Sequence, residues 1–251
     1  MRKLFILLIV IASIAKQSQA QNHKTDLQEM NLKGKVKSLK ESTYQATDKG
    51  GKVQKEKVYV SYDYVFNERG YKIEKNEYNT DGSLDNKCTY MYNDKGNNIE
   101  VNMYNADGSL YWKYTYKYND KGNNIEVNVY TADGSLYYNQ TYKYNDKGYK
   151  MEENQYISDG SLNRKFTYKY NDKGKKIEEN WYQSDGNLDN KYTYKYDDGE
   201  NVIEENHYNP DDSLMKHSYK FEYDKNLNWI KQTEYLNDVP NKITEREITY
   251  F

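Results

Sequence analysis

The chain has a single cysteine, Cys88, in 251 residues, so it cannot form an internal disulfide, and its stability must come from strand pairing and packing. Its three histidines, His23, His207 and His217, have no cluster of cysteines or acids around them at metal-ligand spacing. Serines recur directly after the turn glycines, where turn chemistry explains them better than a role as nucleophiles. No catalytic triad is visible. The sequence therefore predicts a non-catalytic protein that needs no metal or other cofactor.

Long apolar runs are missing after the N-terminus. The first such run spans Leu4 to Ala15, follows two basic residues and precedes Ser18-Gln19-Ala20, which is the pattern of a secretory signal peptide over residues 1–20. It is too short for a stable membrane-spanning helix, which needs roughly 20 residues. We expect cleavage after residue 20 and a protein that does not span the membrane, located in the periplasm or outside the cell at its surface.

An excess of positive charge is also absent. The formal net charge is -2, and loss of the leader removes three of the 37 basic residues and no acid. The mature chain then carries 34 basic against 39 acidic residues, a net charge of about -5. A protein with this balance is not expected to bind nucleic acid.

Tyrosine is the abundant residue, at 31 of 251, although only 36% of the residues are hydrophobic and the mean hydropathy is -1.23. Disordered chains are equally polar but poor in aromatics, so this composition indicates a folded protein. Tyrosine can bury its ring while its hydroxyl stays in water or on a partner. We expect tyrosines to supply much of the buried area.

The tyrosines belong to a 26-residue repeat with two turn signals, Asp-Lys-Gly and Asp-Gly. Between the turns, tyrosines stand two residues apart, which predicts antiparallel β-hairpins laid side by side. Atypical units at both ends bring the total to eight hairpins, or sixteen strands. The regular units begin at Phe66, Tyr92, Tyr118, Tyr144, Tyr170 and Tyr196.

The predicted fold is therefore all-β, one long twisted or spiral sheet of tandem hairpins. We expect a single repeat domain over residues 36–251, after a flexible lead-in over residues 21–35. The two exposed edges of such a sheet would favour edge-to-edge self-association.

The turn sequences also predict which residues face each other. Asn209-Pro210-Asp211-Asp212 fits a type I turn followed by a left-handed residue, where other units have glycine. Counted from such turns, Glu153 stands opposite Lys165 and Glu179 opposite Lys191, which would be favourable ion pairs.

That register distributes polar and apolar residues over both faces of the sheet. Glu126 and Asn128 share one face with Tyr138 and Tyr142, whereas Val127 and Val129 share the other with Thr141 and Lys143. Because a lipid-facing strand must be apolar at alternate positions, this distribution argues against an outer-membrane barrel.

The motif Tyr-x-Tyr-Asn-Asp-Lys-Gly-Asn, as at Tyr116 to Asn123, resembles the tyrosine-aspartate (YD) repeats of secreted bacterial Rhs-type proteins. Tyr196-Asp197 and Tyr223-Asp224 carry the literal dipeptide. The resemblance covers roughly residues 36–251 and implies a spiral β-sheet, which in that family sometimes forms a shell around a toxin. This chain has no toxin-like C-terminal domain, so it is most similar to small exported members.

Two functions of different classes agree with these observations. The first is a cell-envelope binding module whose aromatics stack on sugar rings, with a glycan or an envelope protein as partner. The second is a structural or protein-interaction scaffold without a small ligand. Aromatic residues at variable positions of the repeat are the candidate ligand-stacking residues: Trp112, Tyr114, Tyr138 and Trp181.

Two further alternatives use the acidic residues. The aspartates of the turns could bind Ca²⁺, although such turns also use aspartate for backbone hydrogen bonds. A glutamate recurs at one position of six units and could supply paired carboxylates for glycoside hydrolysis, although an active site is rarely repeated so often. These glutamates are Glu74, Glu100, Glu126, Glu152, Glu178 and Glu204.

Overall fold

The computed structural model describes residues 24–211 and 213–251. The expected signal peptide, the first residues of the lead-in and Asp212 lie outside the described residues. One short helix, α1 (Asp26–Glu29), precedes sixteen strands. In chain order these are β1 (Val36–Asp48), β2 (Val53–Phe66), β3 (Lys72–Tyr78), β4 (Leu84–Tyr92), β5 (Asn98–Asn105), β6 (Leu110–Tyr118), β7 (Asn124–Thr131), β8 (Leu136–Tyr144), β9 (Lys150–Ile157), β10 (Leu162–Tyr170), β11 (Lys176–Gln183), β12 (Leu188–Tyr196), β13 (Val202–Tyr208), β14 (Leu214–Tyr223), β15 (Trp229–Leu236) and β16 (Val239–Tyr250).

The strands form one closed antiparallel barrel. Each strand pairs with its neighbours in sequence, and β1 pairs with both β2 and β16. At the closure, the hydroxyl oxygens of Thr43 and Thr244 lie 3.1 Å apart. The sixteen antiparallel strands are confirmed, but the open twisted or spiral sheet is wrong, because the twist of the sheet brings its two edges together. Closure also removes the free edges on which the expected self-association depended.

The turns have the predicted chemistry. In the turn between β5 and β6, the amide of Gly108 donates to the carbonyl of Asn105 at 2.9 Å, and Asn105 donates to Ser109. Gly108 has a φ of +84°, which is the left-handed residue of a type I turn with a glycine bulge. Asp107 accepts hydrogen bonds from both the amide and the hydroxyl of Ser109, so its carboxylate serves the turn.

The predicted strand register is wrong by one residue. Glu153 stands opposite Phe166, and Glu179 stands opposite Tyr192, not opposite the lysines. The cause is a second β-bulge soon after each Asp-Gly turn, which leaves one residue without an opposite partner and so reverses the alternation counted from the turn. The bulged residues are Asp85, Tyr111, Tyr137, Asn163 and Asp189.

With the second bulge, the two faces of the sheet separate by chemistry. Val129 stands opposite Tyr138, so the valines share a face with the tyrosines. Glu126 stands opposite Lys117 and Thr141 on the other face. The expected mixture of Glu126 with Tyr138 is therefore wrong, and the two faces do not have the mixed composition that spoke against a barrel.

The segment before β1 identifies which face is inside. Leu27 and Leu32 are buried against Leu39 and Phe66, with Tyr64 packed against the same cluster. Leu39 stands opposite Tyr64, so their side chains point to the same face of the sheet. Around the barrel, this is the face that carries the tyrosines. The tyrosine face therefore lines the interior, and the Glu–Lys face points outward.

Residues 24–35, the described part of the lead-in that was expected to be flexible over residues 21–35, close part of one barrel end. Its helix begins with Thr25 as N-cap and the backbone amide of Leu27 donates to Gly70 in the β2–β3 turn at 3.2 Å. Asn31 donates to the carbonyl of Gly199 in the β12–β13 turn at 2.9 Å. Counted the shorter way around the barrel, through β1 and β16, these two turns are six strands apart. The lead-in therefore crosses the barrel end that the Asp-Lys-Gly turns form.

Ion pairs cover the outer face. Lys143 and Lys165 bind the carboxylate of Glu152 at 2.6 and 2.8 Å, and these ammonium groups hold its pKa down to about 2. Lys117 pairs likewise with Glu126 at 2.6 Å. The side chain of Lys143 is 72% exposed, as expected for a solvated surface. The single helix in the described residues, α1, is far from long or apolar enough to cross a membrane.

The first tyrosine of five of the six regular units ties its hairpin to the previous one; the remaining unit has Phe66 at this position. The hydroxyl of Tyr144 donates at 2.6 Å to the carbonyl of Asn124, the first residue of β7, beside the bulge where pairing is interrupted. Burial raises the pKa of Tyr144 to about 12. The same bond, at 2.7 to 2.8 Å, is made by Tyr92, Tyr118, Tyr170 and Tyr196. These hydroxyls satisfy carbonyls that the ladder leaves free.

Replacing Tyr144 by phenylalanine should therefore lower the free energy of unfolding by about 0.5–1.5 kcal/mol, because a carbonyl loses its hydrogen bond while the ring stays in place. The control is Tyr156→Phe, whose hydroxyl makes no hydrogen bond among the described residues and whose loss should be near zero. Urea unfolding of both variants checks this, and equal losses would contradict the role given to the hydroxyl.

Candidate functional site

Four aromatic rings meet on two neighbouring hairpins, near the barrel end with the Asp-Gly turns. The ring centroids of Tyr111 and Trp112 lie 5.0 Å apart, those of Trp112 and Tyr137 4.7 Å, and those of Tyr137 and Tyr138 5.6 Å. We call these four residues of β6 and β8 the aromatic platform. They form a continuous run of ring contacts across two strands that are not paired with each other.

The second bulge builds this platform. At a bulge, two consecutive residues stand opposite one residue of the partner strand, so adjacent side chains no longer point strictly to opposite faces. Tyr111 and Tyr137 are the bulged residues, and Trp112 and Tyr138 follow them. The corresponding pairs in the other bulged units hold no aromatic residue: Asp85-Asn86, Asn163-Arg164 and Asp189-Asn190.

The platform offers flat, accessible ring surface. Tyr137 is 54% exposed and Tyr111 47%, whereas Trp112 and Tyr138 are half-buried. Each tyrosine adds a hydroxyl that can donate and accept hydrogen bonds at the edge of the rings. Such a surface suits a ligand with an apolar face and a hydroxylated rim.

The structure brings three of the four predicted stacking residues together and separates the fourth. Tyr114 and Tyr138 both stand opposite Val129, which is 1% exposed, so Tyr114 forms the wall next to the platform. Burial raises the pKa of Tyr114 to about 12. Trp181 lies on β11, three strands beyond β8.

Trp181 belongs to a second aromatic cluster. Its ring centroid lies 5.5 Å from that of Phe166 and 5.0 Å from that of Tyr192, and Tyr192 stacks on His207 at 4.4 Å. The indole nitrogen of Trp181 donates to Glu179 at 2.7 Å. These contacts hold Trp181 in the inner wall.

Sequence reasoning missed Tyr111 and Tyr137. Strict alternation places them on the face opposite Trp112 and Tyr138, and nothing in the turn sequence reveals the second bulge. One signal was available: aromatic pairs occupy this repeat position in only two units, and those units are neighbours.

The inner wall changes from apolar to charged beside the platform, between β7 and β9. On β9, Lys150 pairs with Glu153 at 2.7 Å, and its ammonium lies 4.6 Å from the ring centroid of Tyr168. Glu153 also accepts hydrogen bonds from Tyr168 and Gln140, at 2.9 and 3.0 Å. Its buried charge is thus fully compensated, as a buried carboxylate requires.

On other strands, the residues at the repeat positions of Lys150 and Glu153 vary together. On β11, Lys176 pairs with Glu179, and its ammonium lies 4.7 Å from the ring centroid of Tyr194. On β5 and β7, asparagine stands at the lysine position and valine at the glutamate position, and these valines are 5–6% exposed. The platform therefore borders an apolar sector of the wall at β7, and the charged sector begins at β9, on the other side of β8.

The carboxylates invoked for hydrolysis or calcium binding have other partners. Glu126 and Glu152 lie on the outer face in ion pairs with lysines. The turn carboxylates of Asp107 and Asp159 accept hydrogen bonds from the serines two residues later. Within residues 24–211 and 213–251, no group of three or more His, Cys, Asp or Glu side chains is arranged to hold a metal ion.

Comparison with known proteins shows likeness at the level of fold. No protein-family model matches the chain, and no curated protein sequence matches it. A porin-like protein from Bacteroides uniformis superimposes with a TM-score of 0.56 over 85% of this chain and 96% of its own, at 13% identity. A porin-like protein from Bacteroides vulgatus superimposes with a TM-score of 0.50 over 86% of this chain and 98% of its own, at 11% identity.

These structures overturn the resemblance to YD-repeat proteins of the Rhs type. That resemblance implied a spiral sheet, whereas this chain closes its sixteen strands into a barrel and superimposes on porin-like proteins over most of both chains. The Tyr-x-Tyr-Asn-Asp-Lys-Gly motif misled because it specifies a strand and its turn, which are local features, and not how the sheet closes.

The platform tyrosines should be removable without loss of the fold, unlike the tyrosines of the wall. Tyr142→Ala should cost about 2–4 kcal/mol in free energy of unfolding, because its ring is packed beside Lys150 and its hydroxyl donates to Gln140. Tyr137→Ala should cost under about 1 kcal/mol, as changes at exposed positions do. Denaturant unfolding of both variants tests this, and a larger loss for Tyr137 would make the platform a structural cluster.

Proposed function

We propose that this protein is an exported, non-catalytic barrel of the cell envelope that binds glycans on its aromatic platform. The observation that carries the proposal is the set of four contacting rings at a repeat position where the other bulged units have none. A side chain that every unit needs for folding would recur in every unit. Aromatics confined to two adjacent units point to a local task.

Sugar rings fit this surface by shape and chemistry. A pyranose has an apolar face of C–H groups and a rim of hydroxyls, which match ring faces bordered by tyrosine hydroxyls. Ligand sites in barrels are commonly found at the mouth, where the wall is preformed and concave. The apolar wall beside the platform, with Tyr114 and Val129, would exclude water from one side of the bound ring.

An envelope location, in the periplasm or at the cell surface, is supported by the expected signal peptide and by the fold shared with porin-like Bacteroides proteins. We further propose that the barrel does not sit in a bilayer. Its outward face carries Lys–Glu pairs such as Lys143–Glu152 along the strands, where a lipid-facing strand would be apolar.

Glycan-array screening followed by titration calorimetry tests the binding function. The Tyr111→Ala/Tyr137→Ala double variant should weaken binding of the best glycan by at least about tenfold, a loss of about 1.4 kcal/mol or more. The matched control is Asp85→Ala/Asn163→Ala, which changes the same bulged position in two other units and should leave affinity unchanged.

Three results would count against the proposal. Equal losses in both double variants would show that the bulges and not the rings matter. Unchanged affinity in the tyrosine variant would place the glycan elsewhere. No binding to any glycan would favour the alternative, a structural or protein-interaction scaffold without a small ligand.

A further inference from the structure

A separate cavity of about 400 Å³ lies in the wall formed by β13, β14 and β15, away from the platform. Aromatic rings and two carboxylates surround it. Its lining includes Glu205, Tyr219, Phe221, Trp229 and Glu234, with Val202 at one side. The ring centroids of Phe221 and Trp229 lie 5.9 Å apart.

The two carboxylates of the cavity differ in their partners. Glu234 accepts hydrogen bonds from Asn241 at 2.7 Å and contacts His217 at 3.0 Å. The carboxylate of Glu205 makes no hydrogen bond or ion pair with any residue that the structure describes. Burial raises the pKa of Glu205, and the opposing effects of His217, Lys176 and His207 do not cancel this rise. The nearby cation Lys176 is already paired with Glu179.

The repeat shows what Glu205 lacks. Three residues before Glu153 and Glu179 stand Lys150 and Lys176, whose ammonium groups pair with those glutamates and lie over the tyrosine rings of the wall. Three residues before Glu205 stands Val202. The strand β13 has therefore kept the glutamate of this arrangement and lost its cation, and the cavity lies beside both residues.

We propose that this cavity binds a primary alkylammonium ligand, whose charged group takes the place that the lysine ammonium occupies in the neighbouring units. Glu205 would pair with the ammonium, and the ring of Tyr219 would provide a cation–π contact of the kind that Tyr168 gives to Lys150. The alkyl part of the ligand would lie against Phe221 and Trp229. This site is independent of the glycan platform.

The probe is n-butylammonium, which reproduces a lysine side chain from its β-carbon outward, compared with n-butanol, a neutral chain of matched length. Ligand-observed NMR titration should show saturable binding of butylammonium to the full mature protein and at least about tenfold weaker binding of the alcohol. Equal affinities would overturn the proposal, because they would show an apolar pocket without charge selection. Absence of saturable butylammonium binding would also overturn it.

Two substitutions locate the site. Glu205→Gln should weaken butylammonium binding by at least about tenfold, whereas Glu204→Gln, one residue away and paired with Lys195 on the outer face, should leave it unchanged. Val202→Lys should supply the missing cation in cis, abolish binding and raise the melting temperature. Unchanged binding in both Glu205→Gln and Val202→Lys would show that the amine binds elsewhere on this acidic protein.

Discussion

The pairing register set by the second β-bulge is the constraint on which the rest of the structure depends. One unpaired residue after each Asp-Gly turn restores the alternation that the glycine bulge would otherwise shift. As a result, Val129 faces the same side as Tyr138, and Glu126 faces the side of Lys117. Without this residue, one face would mix lysines with valines and the other would mix glutamates with tyrosines, so neither face could be buried.

Closure of the barrel follows from that separation. A sheet with one largely aromatic face and one charged face is stabilised by curling the aromatic face inward, and its twist brings β1 and β16 together. The tyrosine hydroxyls then satisfy carbonyls left free beside the bulges, as Tyr144 does for Asn124. The separate bulges after the Asp-Gly turns place two consecutive side chains on one surface, and this creates the platform from Tyr111, Trp112, Tyr137 and Tyr138.

Local features could be predicted from the sequence, and distant ones could not. The strand number and the glycine-bulge turns follow from periodicity and from residues such as Gly108, which need only their neighbours. The second bulge has no residue signature, since Asp85, Tyr111 and Asn163 all occupy it, and missing it placed Glu153 opposite Lys165. The contact of Leu27 with the β2–β3 turn joins segments far apart in sequence, so the polar lead-in gave no sign of it. Trp112, Tyr114 and Tyr138 could be predicted as candidates because aromatic residues at variable repeat positions stand out, whereas the bulged residues Tyr111 and Tyr137 were assigned to the wrong face.

A disulfide across the closure tests the central claim most directly. Thr43→Cys/Thr244→Cys, made in a Cys88→Ser background, places two thiols where the hydroxyl oxygens lie 3.1 Å apart on β1 and β16. A closed barrel predicts rapid formation of an intramolecular disulfide in the folded monomer, seen as a mass loss of about two hydrogens and faster migration on non-reducing gels. A control pair on strands that are not neighbours, Thr115→Cys/Thr244→Cys, should stay reduced. Free thiols in the folded monomer of the first variant, or disulfides formed only between molecules, would show an open sheet and contradict the account.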